Sequence, residues 1–254
     1  MNERTVDMRP RRVPEITIGF WIAKAASTAL GEAASDFSIR AMPPVLAVLL
    51  GFVLFVAALL WQLSRGRYVP AVYWTTVAMV GVFGTMAADA VHVVLGLPYV
   101  LTTIVYAVAL TLVFLLWWRV EGTLSVHEVT TRRRELFYWS AVVATFALGT
   151  AAGDLAAIGL QLGYLPSILL FGILILIPAL GFRLLRWSPV FSFWAAYVLT
   201  RPLGASVADW LGKPNAEGGM GMGSGWVAIG TALVMILTVA ITSRSRTALR
   251  TASG

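Results

Sequence analysis

Four residues with polar or charged side chains recur at a four-residue spacing near the start of this chain. They are Lys24, Thr28, Glu32 and Asp36. On an α-helix they would lie on one side, because residues four apart are neighbours on the helix surface. Carboxylate and hydroxyl oxygens are the ligands that hard cations such as Mg²⁺ and Mn²⁺ prefer. The spacing therefore predicts a polar stripe that could bind a cation.

The aspartate that ends this stripe belongs to a repeated pattern. A tryptophan preceded by an aromatic residue is followed by glycine ten residues later and by aspartate fifteen residues later. The four copies are Trp21/Gly31/Asp36, Trp74/Gly84/Asp89, Trp139/Gly149/Asp154 and Trp194/Gly204/Asp209. A pattern kept in register four times indicates a fourfold internal repeat. We expect the tryptophans to anchor the inner membrane interface and the glycines to allow close helix packing.

The stripe positions between tryptophan and aspartate differ among the copies, which predicts an asymmetric interior site. The later copies carry Val77, Gly81 and Thr85, then Val142, Phe146 and Thr150, then Tyr197, Arg201 and Ala205. The candidate residues for binding a substrate or ion are Lys24, Thr28, Glu32, Asp36, Thr85, Asp89, Thr150, Asp154, Arg201 and Asp209. The five acids among them are the candidates for a metal ion. His92 could extend the site or be an ordinary interfacial histidine.

The elements that carry these residues are predicted to be membrane helices. Hydrophobic residues make up 59% of the 254-residue chain and charged residues only 12%, a composition typical of an integral membrane protein. Eight apolar stretches have close to the roughly 20 residues needed to cross a bilayer. They span 14–38, 43–63, 70–95, 98–118, 136–160, 165–186, 189–211 and 225–243. We predict one all-α transmembrane domain over 1–254, with two-helix repeats at 13–66, 67–130, 131–186 and 187–243.

The odd and even helices differ in character. The odd helices carry every charge within the apolar stretches, which favours an inner ring, whereas the even helices are apolar almost all round and suit an outer ring that faces lipid. Because each copy contains two membrane-crossing helices, every repeat begins on the same side of the membrane. We therefore expect parallel repeats with pseudo-fourfold or nested twofold symmetry. Pro202 should kink the seventh helix.

The distribution of basic residues predicts the topology. All but four of the nineteen lysines and arginines lie in the two terminal segments and in alternate loops; the exceptions are Lys24, Arg40, Arg201 and Lys213. The positive-inside rule then places both termini in the cytoplasm of a multi-pass protein of the cell inner membrane. Membrane topology explains the net charge of +7, so we expect the lipid bilayer as a partner and no nucleic acid.

Several kinds of chemistry are not expected. The chain has no cysteine and two histidines, which leaves redox cofactors without ligands. No zinc-protease, nucleophile-elbow, phosphate-loop or dinucleotide-binding motif is present. We therefore expect no cofactor and no enzymatic activity. The MGMGSG stretch around Met220 and Met222 could supply soft copper ligands, but a flexible connector explains it better.

The repeat resembles a bacterial family of membrane proteins that is defined by a tandem repeat of unknown function. The first copy, VPEITIGFWIAKAASTALGEAASDF, carries the resemblance best, with Lys24, Thr28, Gly31, Glu32 and Asp36 at the positions typical of the family. The resemblance covers residues 13–243. It implies the fold and the number of repeats, and it implies no activity.

The expected function is a transporter or channel for a cation or another small polar solute, with an acidic vestibule that faces outward. A divalent metal is the first candidate, because the acids outnumber the two bases in the interior. The alternative is a sensor or assembly module that transports nothing. In that case the buried charges only specify packing, for example through Asp36 with Arg40 or Asp209 with Lys213. A membrane enzyme that uses Glu32 and Asp36 is the least favoured hypothesis, and the oligomeric state stays open.

Overall fold

A computed structural model describes the backbone of residues 10–252 and the side chains of residues 10–244. Within that range the chain forms eight long helices and no strand, which confirms the all-helical prediction. They are α1 (Ile18–Ala41), α2 (Pro44–Ser64), α3 (Pro70–Leu95), α4 (Tyr99–Glu121), α5 (Arg132–Asp154), α6 (Tyr164–Leu184), α7 (Pro189–Gly212) and α8 (Ser224–Ala252). Of the basic residues used for topology, Arg4 and Arg9 and the side chains of Arg246 and Arg250 lie outside the described part.

Local sequence explains where the helices begin and end. Proline is the first residue of α2, α3 and α7, where its missing amide proton costs nothing. The hydroxyls of Thr17 and Thr131 accept hydrogen bonds from the first turns of α1 and α5. Gly96 and Gly122 end α3 and α4 in the left-handed conformation that glycine adopts readily. Each helix starts within four residues of the predicted stretch.

The four odd-numbered helices form a closed ring, in which α1 and α5 each contact both α3 and α7. Each even helix packs mainly on the odd helix of the next repeat: α2 on α3, α4 on α5, α6 on α7, and α8 on α1. The last of these contacts joins the end of the chain to its beginning. The repeats therefore interlock, because every outer helix covers an inner helix that belongs to another copy.

Burial separates the two sets of helices. In the spanning parts of α2, α4, α6 and α8 only 11–22% of the residues are buried, against 44% in α3 and 61% in α5. The exposed surface of the even helices consists mainly of leucine, valine, isoleucine and aromatic side chains. A continuous apolar surface of this kind is stable against lipid and costly against water.

Six helices in the described part are long and apolar enough to cross a membrane: α2, α3, α4, α5 with the π-helical turn Leu155–Gly159, α6 and α8. Eight membrane helices were expected from the sequence. Helices α1 and α7, of 24 residues each, are less apolar because they carry the lysine, arginine and acidic residues of the interior. Neighbouring helices cover much of the polar surface of α1 and α7, so the apolar character of these two helices taken alone does not show whether they cross the membrane.

Helix α7 runs without interruption from Pro189 to Gly212, through Pro202, and the kink expected at Pro202 stays a prediction. One local expectation needs correction. The MGMGSG stretch is not a free connector. The amides of residues 220, 221, 222 and 223 donate hydrogen bonds to the carbonyls of Trp210, Lys213, Leu211 and Gly212. The segment thus satisfies carbonyls that the end of a helix leaves without partners.

Candidate functional site

The interior of the ring is organised around Arg201, whose side chain is fully buried with 0% exposed. Its Nη2 atom, with two hydrogens to donate, lies within hydrogen-bond distance of three acceptors: Glu32 Oε2 and Thr150 Oγ1, both at 2.8 Å, and the hydroxyl of Thr85. Its Nη1 atom donates to the backbone carbonyl of Thr28 at 3.2 Å. One guanidinium group on α7 therefore binds residues of α1, α3 and α5, and so links all four inner helices.

The repeat explains this convergence. Glu32, Thr85 and Thr150 each stand eleven residues after the tryptophan of their copy. The fourth copy has Ala205 at that position, and its small side chain leaves room for Arg201, one turn earlier on α7. Gly149 adds to this room, since a side chain there would overlap the Cβ and Cγ atoms of Arg201. The loss of symmetry among the copies thus creates the site.

Lys24 lies on the tryptophan side of Arg201 and is 1% exposed. No hydrogen-bond acceptor for its Nζ atom occurs among the described residues. The Nζ atom lies 4.0 Å from the centroid of the Phe146 ring and 4.2 Å from that of the Tyr197 ring. The faces of aromatic rings attract cations, but less strongly than a carboxylate does. Lys24 is therefore a buried amine held by aromatic faces.

Two of the four repeat aspartates form ion pairs. Lys213, which follows α7, places its Nζ atom 2.5 Å from Asp36 Oδ2 and 3.5 Å from Asp209 Oδ1. Arg40 Nη2 lies 4.0 Å from Asp36 Oδ2. Burial disfavours the charged form of Lys213, but Asp209 and Asp36 outweigh that effect and hold the pKa of the amine above its ordinary value. Both ion pairs that the sequence suggested are present, and Lys213 also joins them across α1 and α7.

The other two aspartates differ from this pair. Asp89 and Asp154 are partly exposed, and in the part of the chain that the structure describes neither forms a hydrogen bond or an ion pair. The His92 Nδ1 atom lies 2.5 Å from the Leu97 carbonyl, and the His92 ring stacks on Tyr99 at 4.0 Å. These contacts leave Nε2 as the ring nitrogen that could extend the site. No three acidic or histidine side chains of the described residues come together as a metal site.

A layer of aromatic rings closes the ring of helices on the tryptophan side. Phe20 contacts Trp74 with ring centroids 5.8 Å apart, and Tyr138 contacts Trp194 at 6.1 Å. The hydroxyls of Tyr73 and Tyr138 are hydrogen-bonded to each other. The tryptophans of the second, third and fourth copies are buried in or beside this layer. Our expectation that they anchor the membrane interface was therefore wrong for these three.

A second buried charge cluster, which was not expected from the sequence, lies around Glu135 at the start of α5. Glu135 Oε2 accepts a hydrogen bond from Arg12 Nη1 at 2.6 Å, and Oε1 accepts one from Gln62 Nε2 at 2.8 Å. Arg12 Nε also donates to the carbonyl of Thr130 at 3.2 Å. The cluster fixes the segment before α1 against α2 and α5. The only sign of this cluster in the sequence was Glu135, an acid that follows three arginines. Arg12 had been interpreted as a topology residue alone.

The profile of a protein family matches this chain. It is the DUF347 repeat, described as a repeat of unknown function, and it matches residues 19–68, 72–123, 137–185 and 192–248. Each matched segment begins within two residues of a repeat tryptophan. No curated protein and no solved structure matches the chain. The four matches together cover most of the sequence, so the chain belongs to the family that is defined by this repeat of unknown function and carries four copies of it.

Proposed function

We propose that this protein is a multi-pass transporter of the inner membrane that moves a cation through the ring of α1, α3, α5 and α7. The observation that carries the proposal is the set of three acids inside the ring that are paired with tethered cations: Glu32 with Arg201, and Asp36 and Asp209 with Lys213. A divalent metal such as Mg²⁺ or Mn²⁺ is the first substrate to test, because carboxylate and hydroxyl oxygens suit hard cations.

The proposed topology has the four inner helices parallel, with both termini in the cytoplasm and the aspartates on the outer side. Contacts between residues at matching repeat positions support parallel helices. Phe20 contacts Trp74 near the start of two copies, and Glu32, Thr85 and Thr150 meet at a common level through Arg201. This arrangement has pseudo-fourfold symmetry, and the positive-inside rule supports its orientation.

In the proposed mechanism the tethered cations compete with the substrate. Lys213 lies between Asp36 and Asp209, and Arg201 lies beside Glu32. Without a substrate these bases pair with Glu32, Asp36 and Asp209. Asp89 and Asp154, which lack such a partner among the described residues, attract a cation from outside. A cation that then moves inward must displace Lys213 and next Arg201, because the bound carboxylates would otherwise remain occupied.

The aromatic layer acts as the closed inner gate in this mechanism. The buried rings of Phe20, Trp74, Tyr138 and Trp194 offer few ligands to a hydrated cation. In this proposal the side that carries the partly exposed Asp89 and Asp154 faces outward, and the aromatic layer closes the cytoplasmic side. Release to the cytoplasm requires these rings to separate, as in transporters that expose one site to each side in turn.

Flux into proteoliposomes tests the proposal, with Mg²⁺, Mn²⁺, Na⁺ and K⁺ as separate probes. Glu32→Gln should abolish the flux that the wild type supports, and the double variant Asp89→Asn/Asp154→Asn should reduce it at low cation concentration and less at saturation. Glu217→Gln is the matched control, since Glu217 is an exposed acid that follows α7. Wild-type protein that is folded and carries none of the four cations would refute the cation proposal. So would unchanged flux in both variants.

One observation also favours the second candidate function, a sensor or assembly module that transports nothing. Arg201 is bonded to three other inner helices, which is the arrangement needed if the buried charges only specify packing. This alternative predicts that Glu32→Gln lowers stability and that no cation crosses the bilayer. Because Glu32→Gln is expected to lower stability under either function, cation flux through folded wild-type protein is the measurement that separates the two.

A further inference from the structure

An apolar cleft of ≈ 520 Å³ opens between α4 and the beginning of α7. Phe114 of α4, Leu124 of the following loop, and Phe191, Trp194 and Val198 of α7 form most of its wall. The one polar atom of the Trp194 ring already donates a hydrogen bond to the Leu124 carbonyl at 2.9 Å. The cleft therefore presents almost only carbon atoms. Its volume lies within the range of about 300–1,000 Å³ that is typical of small-molecule sites.

The repeat shows that this space is filled at an equivalent place. Val190 lines the cleft and stands four residues before its repeat tryptophan, as Glu135 does in the third copy. At Glu135 the space between α2 and α5 is occupied by Gln62 and Arg12, which bind the acid.

The corresponding space in the second repeat, beside Pro70, is also narrow. Pro70 stands four residues before Trp74. The space between α3 and α8 there is a cavity of only ≈ 30 Å³, with Pro14 and Thr17 of the segment before α1 among its lining residues. The segment before α1 thus lies in the spaces beside both Glu135 and Pro70. No described segment covers the cleft between α4 and α7. An apolar cleft left open on a membrane protein requires an apolar occupant.

Charge near the cleft indicates which apolar molecule fits. Arg186 is exposed and stands two residues before Ser188, a residue of the cleft wall. Arg183, one helical turn earlier, is exposed as well. These residues belong to a loop that the proposed topology places at the cytoplasmic surface. Basic residues at that surface, beside a gap between membrane helices, suit the headgroups of anionic lipids.

We propose that the cleft between α4 and α7 binds an acyl chain of one anionic phospholipid, whose phosphate group is held by Arg186. The binding site is built by the tertiary structure, since α4 and α7 come from different repeats. It is separate from the charged interior of the ring. The proposal therefore does not depend on cation transport.

Native mass spectrometry of the purified full-length protein tests this inference, with dioleoyl phosphatidylglycerol and dioleoyl phosphatidylcholine as probes. The wild type should retain one phosphatidylglycerol at concentrations where phosphatidylcholine is lost. Ala195→Trp fills the cleft, because Ala195 lies in its wall, and should lower the bound fraction at least tenfold. Ala57→Trp is the matched control on the exposed face of α2 and should bind as the wild type does.

A second pair of variants tests the headgroup. Arg186→Gln should remove most of the preference for phosphatidylglycerol over phosphatidylcholine, whereas Arg65→Gln, at an exposed arginine after α2, should not. The Arg186 variant decides the question if Ala195→Trp fails to fold. Equal binding of phosphatidylglycerol by the wild type, Ala195→Trp and Arg186→Gln would overturn the proposal. A doubled mass without bound lipid would also overturn it, because a second copy would then cover the cleft.

Discussion

Gly31→Ala is expected to destabilise the protein, because the backbones of α1 and α3 touch at this position. A Cβ atom on residue 31 would lie 2.7 Å from both Cα and the carbonyl carbon of Gly81. Backbone atoms cannot rotate away as a side chain can, so the two helices must separate. That movement would also pull Glu32 away from Thr85, whose hydroxyl lies in the same network.

The size of the effect follows from two opposing contributions. Overpacking of a well-packed contact costs about 1–3 kcal/mol, and the better helix propensity of alanine returns about 1 kcal/mol. We expect a net loss of up to about 2 kcal/mol in the free energy of unfolding, which is a change of up to roughly 30-fold in the ratio of folded to unfolded protein. Gly84→Ala should cost less, since the nearest atom is Phe146 Cβ at 3.1 Å.

Reversible unfolding in mixed detergent micelles, followed by tryptophan fluorescence, measures these differences. Gly172→Ala and Gly230→Ala are the matched controls. They lie within α6 and α8, and a Cβ atom there would meet no atom within 4 Å, so both should be neutral or stabilising by up to about 1 kcal/mol. If Gly31→Ala were as stable as these controls, α1 and α3 would not meet at Gly31 and Gly81.

Three further predictions follow from the buried charges and the topology. Glu32→Gln and Arg201→Gln should each lower the free energy of unfolding by about 3–5 kcal/mol, because each leaves a buried charge without its partner. In the same unfolding assay the double variant should lose clearly less than the sum of the two single losses. Additive losses would contradict a direct pair. Arg12→Gln should speed amide hydrogen exchange at Tyr68, whose amide donates a hydrogen bond to the Arg11 carbonyl, while exchange in α6 stays unchanged. Equal protection of the Tyr68 amide in the variant and the wild type would show that Arg12 does not fix the segment before α1. Because the chain has no cysteine, single cysteines report topology: Ala216→Cys should react with an impermeant maleimide in intact cells and His127→Cys only after lysis, and the reverse pattern would overturn the proposed orientation.

The sequence by itself determined the helices and the repeat. Composition and the length of the apolar stretches are local properties, and they predicted eight helices that start close to the observed positions. The tryptophan, glycine and aspartate columns fixed the number of copies. They also predicted that Glu32, Thr85 and Thr150 would belong to one site, because equal offsets in a repeat give equal levels in a bundle.

The tertiary structure decided which residues meet. A helical period fixes the side of a helix on which a residue lies and says nothing about the neighbour that it faces. The packing of each even helix on the next repeat, the bond between Arg201 and Glu32, and the bond between Lys213 and Asp36 all join distant parts of the chain. The aromatic layer and the Glu135 cluster are likewise products of ring closure. Four copies of one motif offer several such pairings, and only the packing of their unequal side chains selects one.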